Sequence, residues 1–141
     1  MIYLLDTDHI SLLDRGGHEG QTILARLNRS APNSIVACAI SLEEQTRGWL
    51  ASMNSLRRTD HQVDGYRRLV RLLDTYCGVP VLPFDDEVAA LYDRLRRVPI
   101  RIGTMDLKIA ATALANKATL LTRNRTDFEK VPDLRVEDWS M

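Results

Sequence analysis

The sequence predicts an α/β protein, a three-layer α/β/α sandwich around a central, mostly parallel sheet. Short, almost continuously apolar segments alternate with longer segments of helical periodicity along the whole chain. This alternation is typical of strands that are buried on both faces and joined by crossover helices. The 141 residues, 45% of them hydrophobic and 27% charged, amount to one globular domain. Because no repeat, linker or change of composition interrupts the chain, we expect a single domain over residues 1–141.

The first third of the chain predicts two strands and the helices that follow them. Ile2–Leu5 is a short apolar strand, and the polar cluster at 6–8 directly behind it is typical of a helix start. A second short helix is expected at 19–27. Residues 34–40 are almost continuously apolar, as in a buried parallel strand, and Ser41 is expected to cap the next helix.

The rest of the chain continues the same alternation. A long helix, with apolar residues from Tyr66 to Cys77 on one face, is expected to end at Gly78. Asp85 is expected to cap a helix that ends before Pro99, and the nearly all-apolar segment 107–115 predicts a buried helix. Three further short strands are predicted, at 79–84, 119–122 and 134–136.

Acidic residues follow the predicted strands or begin the helices behind them: Asp6, the Glu43–Glu44 pair, Asp106 and Asp127. Because sites in parallel sheets lie at the carboxyl ends of the strands, we expect these acids to converge. Two unit charges 4 Å apart repel by about 4 kcal/mol at an effective dielectric of 20, so the cluster requires a proton or a cation. Carboxylate oxygens favour Mg²⁺ or Mn²⁺, whose chemistry suits phosphodiester hydrolysis by an activated water.

The basic residues are unevenly distributed. Residues 94–125 carry eight cationic side chains against one acid, Asp106, although the formal net charge of the chain is zero. Sixteen of the 19 cationic residues are arginine, which suits bidentate contacts to phosphate but would also follow from a GC-rich genome. If the substrate is a nucleic acid, we expect the arginines at 94–101, 123 and 125 to follow its backbone.

Most other titratable residues are expected to be structural. Asp8 and the acids at 85–87 stand where helix starts favour carboxylates. Cys38 and Cys77 are expected to pack in the interior, since the chain has no CxxC motif or zinc-ligand spacing. The three histidines share no ligand spacing and are expected to lie on the surface or to pack: His9, His18 and His61.

No apolar run approaches the ~20 residues needed to cross a bilayer, and Asp6 interrupts any signal-peptide pattern. We therefore expect a cytoplasmic protein that does not contact the membrane. Nucleotide-binding folds are not supported, because neither a glycine-rich phosphate loop nor a Walker motif is present.

Five sequence blocks together resemble the PIN-domain nucleases. They are YLLDTD at 3–8, EEQTRGW at 43–49, DLKIAA at 106–111, LTRNRTDF at 121–128 and VEDW at 136–139. Among these nucleases, the order and spacing of the blocks are most similar to the VapC-type toxins of bacterial toxin–antitoxin pairs. The resemblance covers essentially the whole chain. It implies a PIN-like fold and a Mg²⁺- or Mn²⁺-dependent endoribonuclease, usually a homodimer, that a cognate antitoxin holds inactive.

Carried over residue by residue, the resemblance makes Asp6, Glu44, Asp106 and Asp127 the catalytic and metal-binding acids. Gly48, four residues after Glu44, selects Glu44 over Glu43, whereas the helical wheel places Glu43 beside the apolar stripe, so this choice stays open. The polar residues of the same blocks and the basic segment supply the expected substrate contacts: Thr122, Asn124, Arg101 and Arg123.

Two other functions compete with the nuclease. The opening strand followed by Asp6 and Asp8 is similar to the start of haloacid-dehalogenase-type phosphatases, although their Thr and Lys blocks are not recognisable. Such an enzyme would hydrolyse a small phosphate monoester. A non-catalytic PIN-like scaffold would bind RNA or protein without cutting, and a metal-dependent cleavage assay separates it from a nuclease.

Overall fold

A computed structural model describes all residues, 1–141. Its centre is a five-stranded sheet in the order β3-β2-β1-β4-β5, and every neighbouring pair is parallel. The strands are β1 Ile2–Leu5, β2 Ile35–Cys38, β3 Val81–Leu82, β4 Ala118–Leu121 and β5 Val136–Glu137. Seven helices flank the sheet: α1 Thr7–Arg15, α2 His18–Asn28, α3 Ala39–Asn54, α4 Thr59–Cys77, α5 Asp86–Leu95, α6 Thr104–Ala115 and α7 Arg125–Phe128. The predicted α/β class is confirmed, and the sheet is entirely parallel.

The sheet has a separate hydrophobic core on each face. Successive side chains of a strand point to opposite faces, and Leu4 of β1 belongs to one buried cluster whereas Leu5 belongs to the other. The register continues this division, since Leu4 pairs with Leu120 and Leu5 pairs with Leu121. Both faces are therefore covered, which explains why the strands are apolar without alternation.

Helix α6 lies in the larger core, as its composition predicts. Its buried side chains cover one face of the sheet: Leu107, Ile109, Ala110, Ala111 and Ala113. The small alanines allow the helix to approach its neighbours closely. Asp106 lies in the first turn of this helix, so the packing of α6 against the sheet fixes the position of its backbone.

The structure corrects two element boundaries. The second strand stops at Cys38, which is the N-cap of α3, so Ser41 lies inside the helix rather than at its cap. The third strand comprises only Val81 and Leu82, because the prolines on either side of it, Pro80 and Pro83, donate no backbone hydrogen bond. This short strand lies at the edge of the sheet, where proline is tolerated.

The apolar stripe of α4 is only partly covered within this chain. Tyr66, Val70 and Leu73 are 55%, 60% and 63% exposed, so they are not core residues of this chain. Cys77 is also exposed, whereas Cys38 is buried as expected. Length and hydrophobicity sufficient to cross a bilayer do not occur together in any of the helices.

Candidate active site

Asp6 is placed by the end of the central strand. It follows β1 directly and is the N-cap of α1, where its Oδ1 accepts a hydrogen bond of 2.7 Å from the backbone N–H of His9. Its residue surface is only 5% exposed. The carboxylate is thus both a helix cap and a buried acid at the carboxyl edge of the sheet.

Glu44 reaches the same edge from α3. Its Oε1 accepts a hydrogen bond of 2.7 Å from the hydroxyl of Thr7, the residue after Asp6. Glu43 instead forms an ion pair of 2.6 Å with Arg47 one turn along the helix. Both glutamates lie beyond the first turn of α3, which begins at Ala39. Glu44 is on the side of the helix that faces Asp6 and Thr7, whereas Glu43 pairs along the helix surface.

Asp106 and Asp127 differ in their surroundings. Asp106, in the first turn of α6, is half-buried, and burial followed by the charges of Glu44 and Asp127 raises its pKa. Asp127, on α7, accepts hydrogen bonds from Asn124 Nδ2 at 3.0 Å and Lys130 Nζ at 3.3 Å. These two partners, Asn124 first, lower the pKa of Asp127.

These elements enclose a cavity of about 300 Å³. Its lining contains Asp6, Glu44 and Asp106, so the carboxyl edge of the sheet brings three of the four predicted acids together. Asp127 does not line the cavity, although its charge acts on Asp106. The lining residues are Asp6, Thr7, Asp8, Ser11, Arg15, Glu44, Asp106, Ile109, Asn124 and Phe128. We refer to this space below as the acidic cavity.

Burial dominates the electrostatics of Asp6. The pKa of the carboxyl group is raised from 3.8 to about 7, chiefly by burial and to a smaller extent by the negative charges of Asp8 and Asp106. The Thr122 side chain and the backbone N–H of His9 act in the opposite direction by hydrogen bonding. A buried carboxylate with acidic neighbours holds a proton unless a cation takes its place. This cluster of carboxylate oxygens could therefore bind a divalent cation.

Asp8 and His9 complete the surroundings of Asp6, and one ligand atom from each of the three residues lies within 4.8 Å of the others. His9 is fully buried; its Nε2 accepts a hydrogen bond of 3.2 Å from the backbone N–H of Trp139. Its Nδ1 has no hydrogen-bond partner and lies 3.6 Å from Asp6 Oδ1. The Nε2 atom of His9 is thus already engaged in a hydrogen bond. The ligand atoms that this cluster offers to a cation are therefore mainly carboxylate oxygens.

Asp8 lies in the first turn of α1, as expected of an acid at a helix start, but the cap itself is Asp6. Asp8 lines the acidic cavity and forms two hydrogen bonds with Arg123, at 2.7 and 2.8 Å. This pairing, chiefly the hydrogen bonding, lowers the pKa of Asp8. Asp6 and Asp8 lie two residues apart across a strand-to-helix junction, and that spacing alone does not reveal that both carboxylates face one cavity.

The predicted substrate residues are dispersed. Asn124 lines the acidic cavity, and its backbone N–H donates to the buried Thr122 hydroxyl at 3.0 Å. Arg123 is committed to Asp8, and Arg101 does not line the cavity. The cationic side chain in the lining is Arg15, at the end of α1, which the sequence patterns did not single out.

The fold and this arrangement of acids define the class of protein. The family model described as PIN domain matches residues 3–134, and the chain belongs to that family. Within it, the chain is similar over its full length to proteins named Ribonuclease VapC. One of these, Ribonuclease VapC1 of Haemophilus influenzae strain R2866, is 29% identical over 146 residues, which cover 99% of both proteins.

Solved structures agree with this assignment. A crystal structure of VapBC2 from Rickettsia felis, bound to a DNA fragment from their promoter, matches with a TM-score of 0.74 at 26% identity and covers 99% of each chain. The structure of VapBC-1 from nontypeable Haemophilus influenzae matches with a TM-score of 0.71 at 26% identity over 100% of each chain. The resemblance to PIN-domain VapC proteins is confirmed, and membership of this family argues against the competing phosphatase alternative.

Proposed function

We propose that this protein is a Mg²⁺- or Mn²⁺-dependent endoribonuclease and the toxin of a cytoplasmic toxin–antitoxin pair. The observation that carries the proposal is the convergence of Asp6, Glu44 and Asp106 on one cavity in a PIN-domain chain. The ribonuclease names of the full-length relatives support RNA as the substrate.

In the proposed reaction, Asp6 and Asp106 would hold the cation directly, and Glu44 and Asp127 would position water molecules beside it. Mg²⁺ or Mn²⁺ bound there supplies an activated water and stabilises the charge that develops on the phosphodiester. Thr7 orients Glu44 through their 2.7 Å hydrogen bond, so this carboxylate keeps one direction as the cavity fills. Asp6 is the most deeply buried acid in the lining of the acidic cavity, so its carboxylate has the greatest need of a countercharge.

We further infer that a cognate antitoxin covers the site and that the active form is a homodimer. The matching structures from Rickettsia felis and Haemophilus influenzae are VapBC complexes, which supports a protein partner. The exposed apolar side chains of α4 also support burial of this chain against another protein. Cleavage should consequently stop when the product of an adjacent small gene is added.

The test is cleavage of RNA by the purified protein in Mg²⁺, in Mn²⁺ and in EDTA, with Asp106→Asn as the site variant. Asp86→Asn is a matched control, because Asp86 is also an acid in a helical first turn but is exposed. We expect cleavage only with a divalent cation, no cleavage by Asp106→Asn, and wild-type cleavage by Asp86→Asn. Undiminished activity in EDTA, or an active Asp106→Asn variant, would contradict the proposal, and binding without cleavage would identify a scaffold.

A further inference from the structure

The acidic cavity has an unbalanced lining for a site that must admit RNA. Four of its lining residues are acidic, namely Asp6, Asp8, Glu44 and Asp106, whereas its one cationic side chain is Arg15. Arg15 forms no ion pair with any acid of the chain. A polyanion therefore needs cationic groups beside this cavity to offset the repulsion.

A second cavity adjoins the first at α1. It has a volume of about 540 Å³ and shares Ser11 and Arg15 with the acidic cavity. All six of its lining residues are polar: Ser11, Asp14, Arg15, Gln45, Arg68 and Arg71. A cavity without a single apolar side chain suits a strongly hydrated or charged ligand rather than an apolar one. We call it the arginine cavity.

The charges of the arginine cavity favour an anion. Three arginines face one acid, Asp14, and Arg71, like Arg15, forms no ion pair. Arg68 pairs with Asp64 at 3.1 Å, but these side chains are 66% and 68% exposed. Exposed pairs of this kind contribute little and exchange readily. All three guanidinium groups are therefore available to a ligand.

One wall of the arginine cavity is fixed by hydrogen bonds. The hydroxyl of Tyr76, which is buried, donates to Gln45 Oε1 at 2.6 Å, and Gln45 Nε2 donates to Ser11 Oγ at 3.3 Å. These two hydrogen bonds link α4, α3 and α1, the three helices that supply the lining. The positions of the arginine backbones are set by the same helices.

We propose that the arginine cavity is a phosphate subsite that binds the RNA backbone next to the phosphodiester held in the acidic cavity. Guanidinium groups match phosphate oxygens bidentately, and such contacts position a strand without reading its bases. This assignment rests on the proposed nuclease function. It moves the substrate path from Arg101 and Arg123 to α1 and α4, since Arg123 is already bonded to Asp8.

The test is the salt dependence of RNA binding by Arg15→Ala, Arg71→Ala and the double variant. Binding of a single-stranded RNA is measured in EDTA, and again in Mg²⁺ with Asp106→Asn as the background, where no cleavage is expected. Each lost phosphate contact should reduce the slope of log K against log salt by about 0.7, and the double variant by about 1.4. Arg135→Ala is the control, because Arg135 is exposed and forms no ion pair. It directly precedes β5, an outermost strand of the sheet, and does not line the arginine cavity.

The outcomes separate this subsite from the nuclease function. A less steep dependence of log K on log salt in the double variant, with an unchanged dependence in Arg135→Ala, supports the subsite, whether or not the wild type cleaves RNA. An unchanged slope, or no RNA binding by the parent protein under either condition, overturns it, while cleavage by the wild type still tests the function independently. Polyglutamate serves as a probe for an acidic protein segment. If the double variant lost binding to polyglutamate while the salt dependence of its RNA binding stayed unchanged, this result would likewise overturn the proposal and assign the cavity to such a segment.

Discussion

Replacing Asp6 by Asn should make the metal-free protein more stable at pH 8, although it removes a proposed catalytic group. Burial raises the pKa of Asp6 from 3.8 to about 7. At ~1.36 kcal/mol for each step of one in pKa, keeping the folded-state carboxylate ionised at pH 8 costs up to about 4 kcal/mol. Asparagine carries no charge and accepts the same capping hydrogen bond from the His9 N–H nearly as well.

The direction of the pH dependence follows from the raised pKa. Above about pH 7, Asp6 is ionised in both the folded and the unfolded chain, and the folded chain bears the full penalty. As the pH falls from about 7 toward 4, the folded carboxyl group takes up a proton before the unfolded one does, so the wild type gains stability. Asp6→Asn lacks this gain, and the two proteins should converge near pH 4.

The assay is thermal or urea unfolding of the wild type and Asp6→Asn in EDTA between pH 4 and 8. At pH 8, the melting temperature of the variant should be higher by up to about 8–16 °C, because 1 kcal/mol corresponds to roughly 2–4 °C for a protein of this size. Asp85→Asn is the matched control: Asp85 caps α5 through a 3.0 Å bond from the Val88 N–H but is exposed. A constant difference between wild type and Asp6→Asn across this pH range would refute the reasoning, and Mg²⁺ should stabilise only the wild type.

Two further pairs of variants test the site and the packing. Glu44→Gln should lower RNA cleavage at least tenfold in a steady-state assay, since it removes the charge that Thr7 orients, whereas Glu43→Gln should cleave normally; equal rates would remove Glu44 from the site. Gly20→Ala should destabilise the fold by about 1–3 kcal/mol in urea unfolding, because the new methyl group would overlap the backbone carbonyl of α1. Gly48→Ala, also within a helix but with open space around it, should instead gain about 0.5–1 kcal/mol, and equal effects of both substitutions would contradict this packing argument.

Much of the fold could be predicted because its signals are local. The apolar run before Asp6 and the nearly all-apolar segment behind Asp106 each identify a buried element without knowledge of the tertiary structure. Parallel topology then places the residues that follow the strands at one edge. This reasoning brought Asp6 and Asp106 together correctly in the structure, although their catalytic roles stay predictions.

The contacts that could not be predicted are those in which a side chain's direction depends on tertiary structure. Asp8 and Arg123 are 115 residues apart, and their bidentate pairing depends on β1 and β4 being neighbours. No local pattern distinguishes that ion pair from a helix-capping acid and an RNA-binding arginine. Similarly, the stripe that includes Tyr66 predicts an apolar helix face but not whether this chain itself covers it.

The acids at this edge fall into two groups according to whether the chain supplies a countercharge. Asp8 has Arg123 and Asp127 has Lys130, and the pKa of each carboxyl group is lowered. Asp6 and Asp106 have no cationic partner, and the pKa of each is raised. At Asp6 and Asp106, a divalent cation competes only with a proton. At Asp8 and Asp127, it must also displace the Arg123 or Lys130 side chain that already pairs with the carboxylate. This asymmetry favours Asp6 and Asp106 as direct ligands and leaves Asp127 to act on Asp106 through its charge.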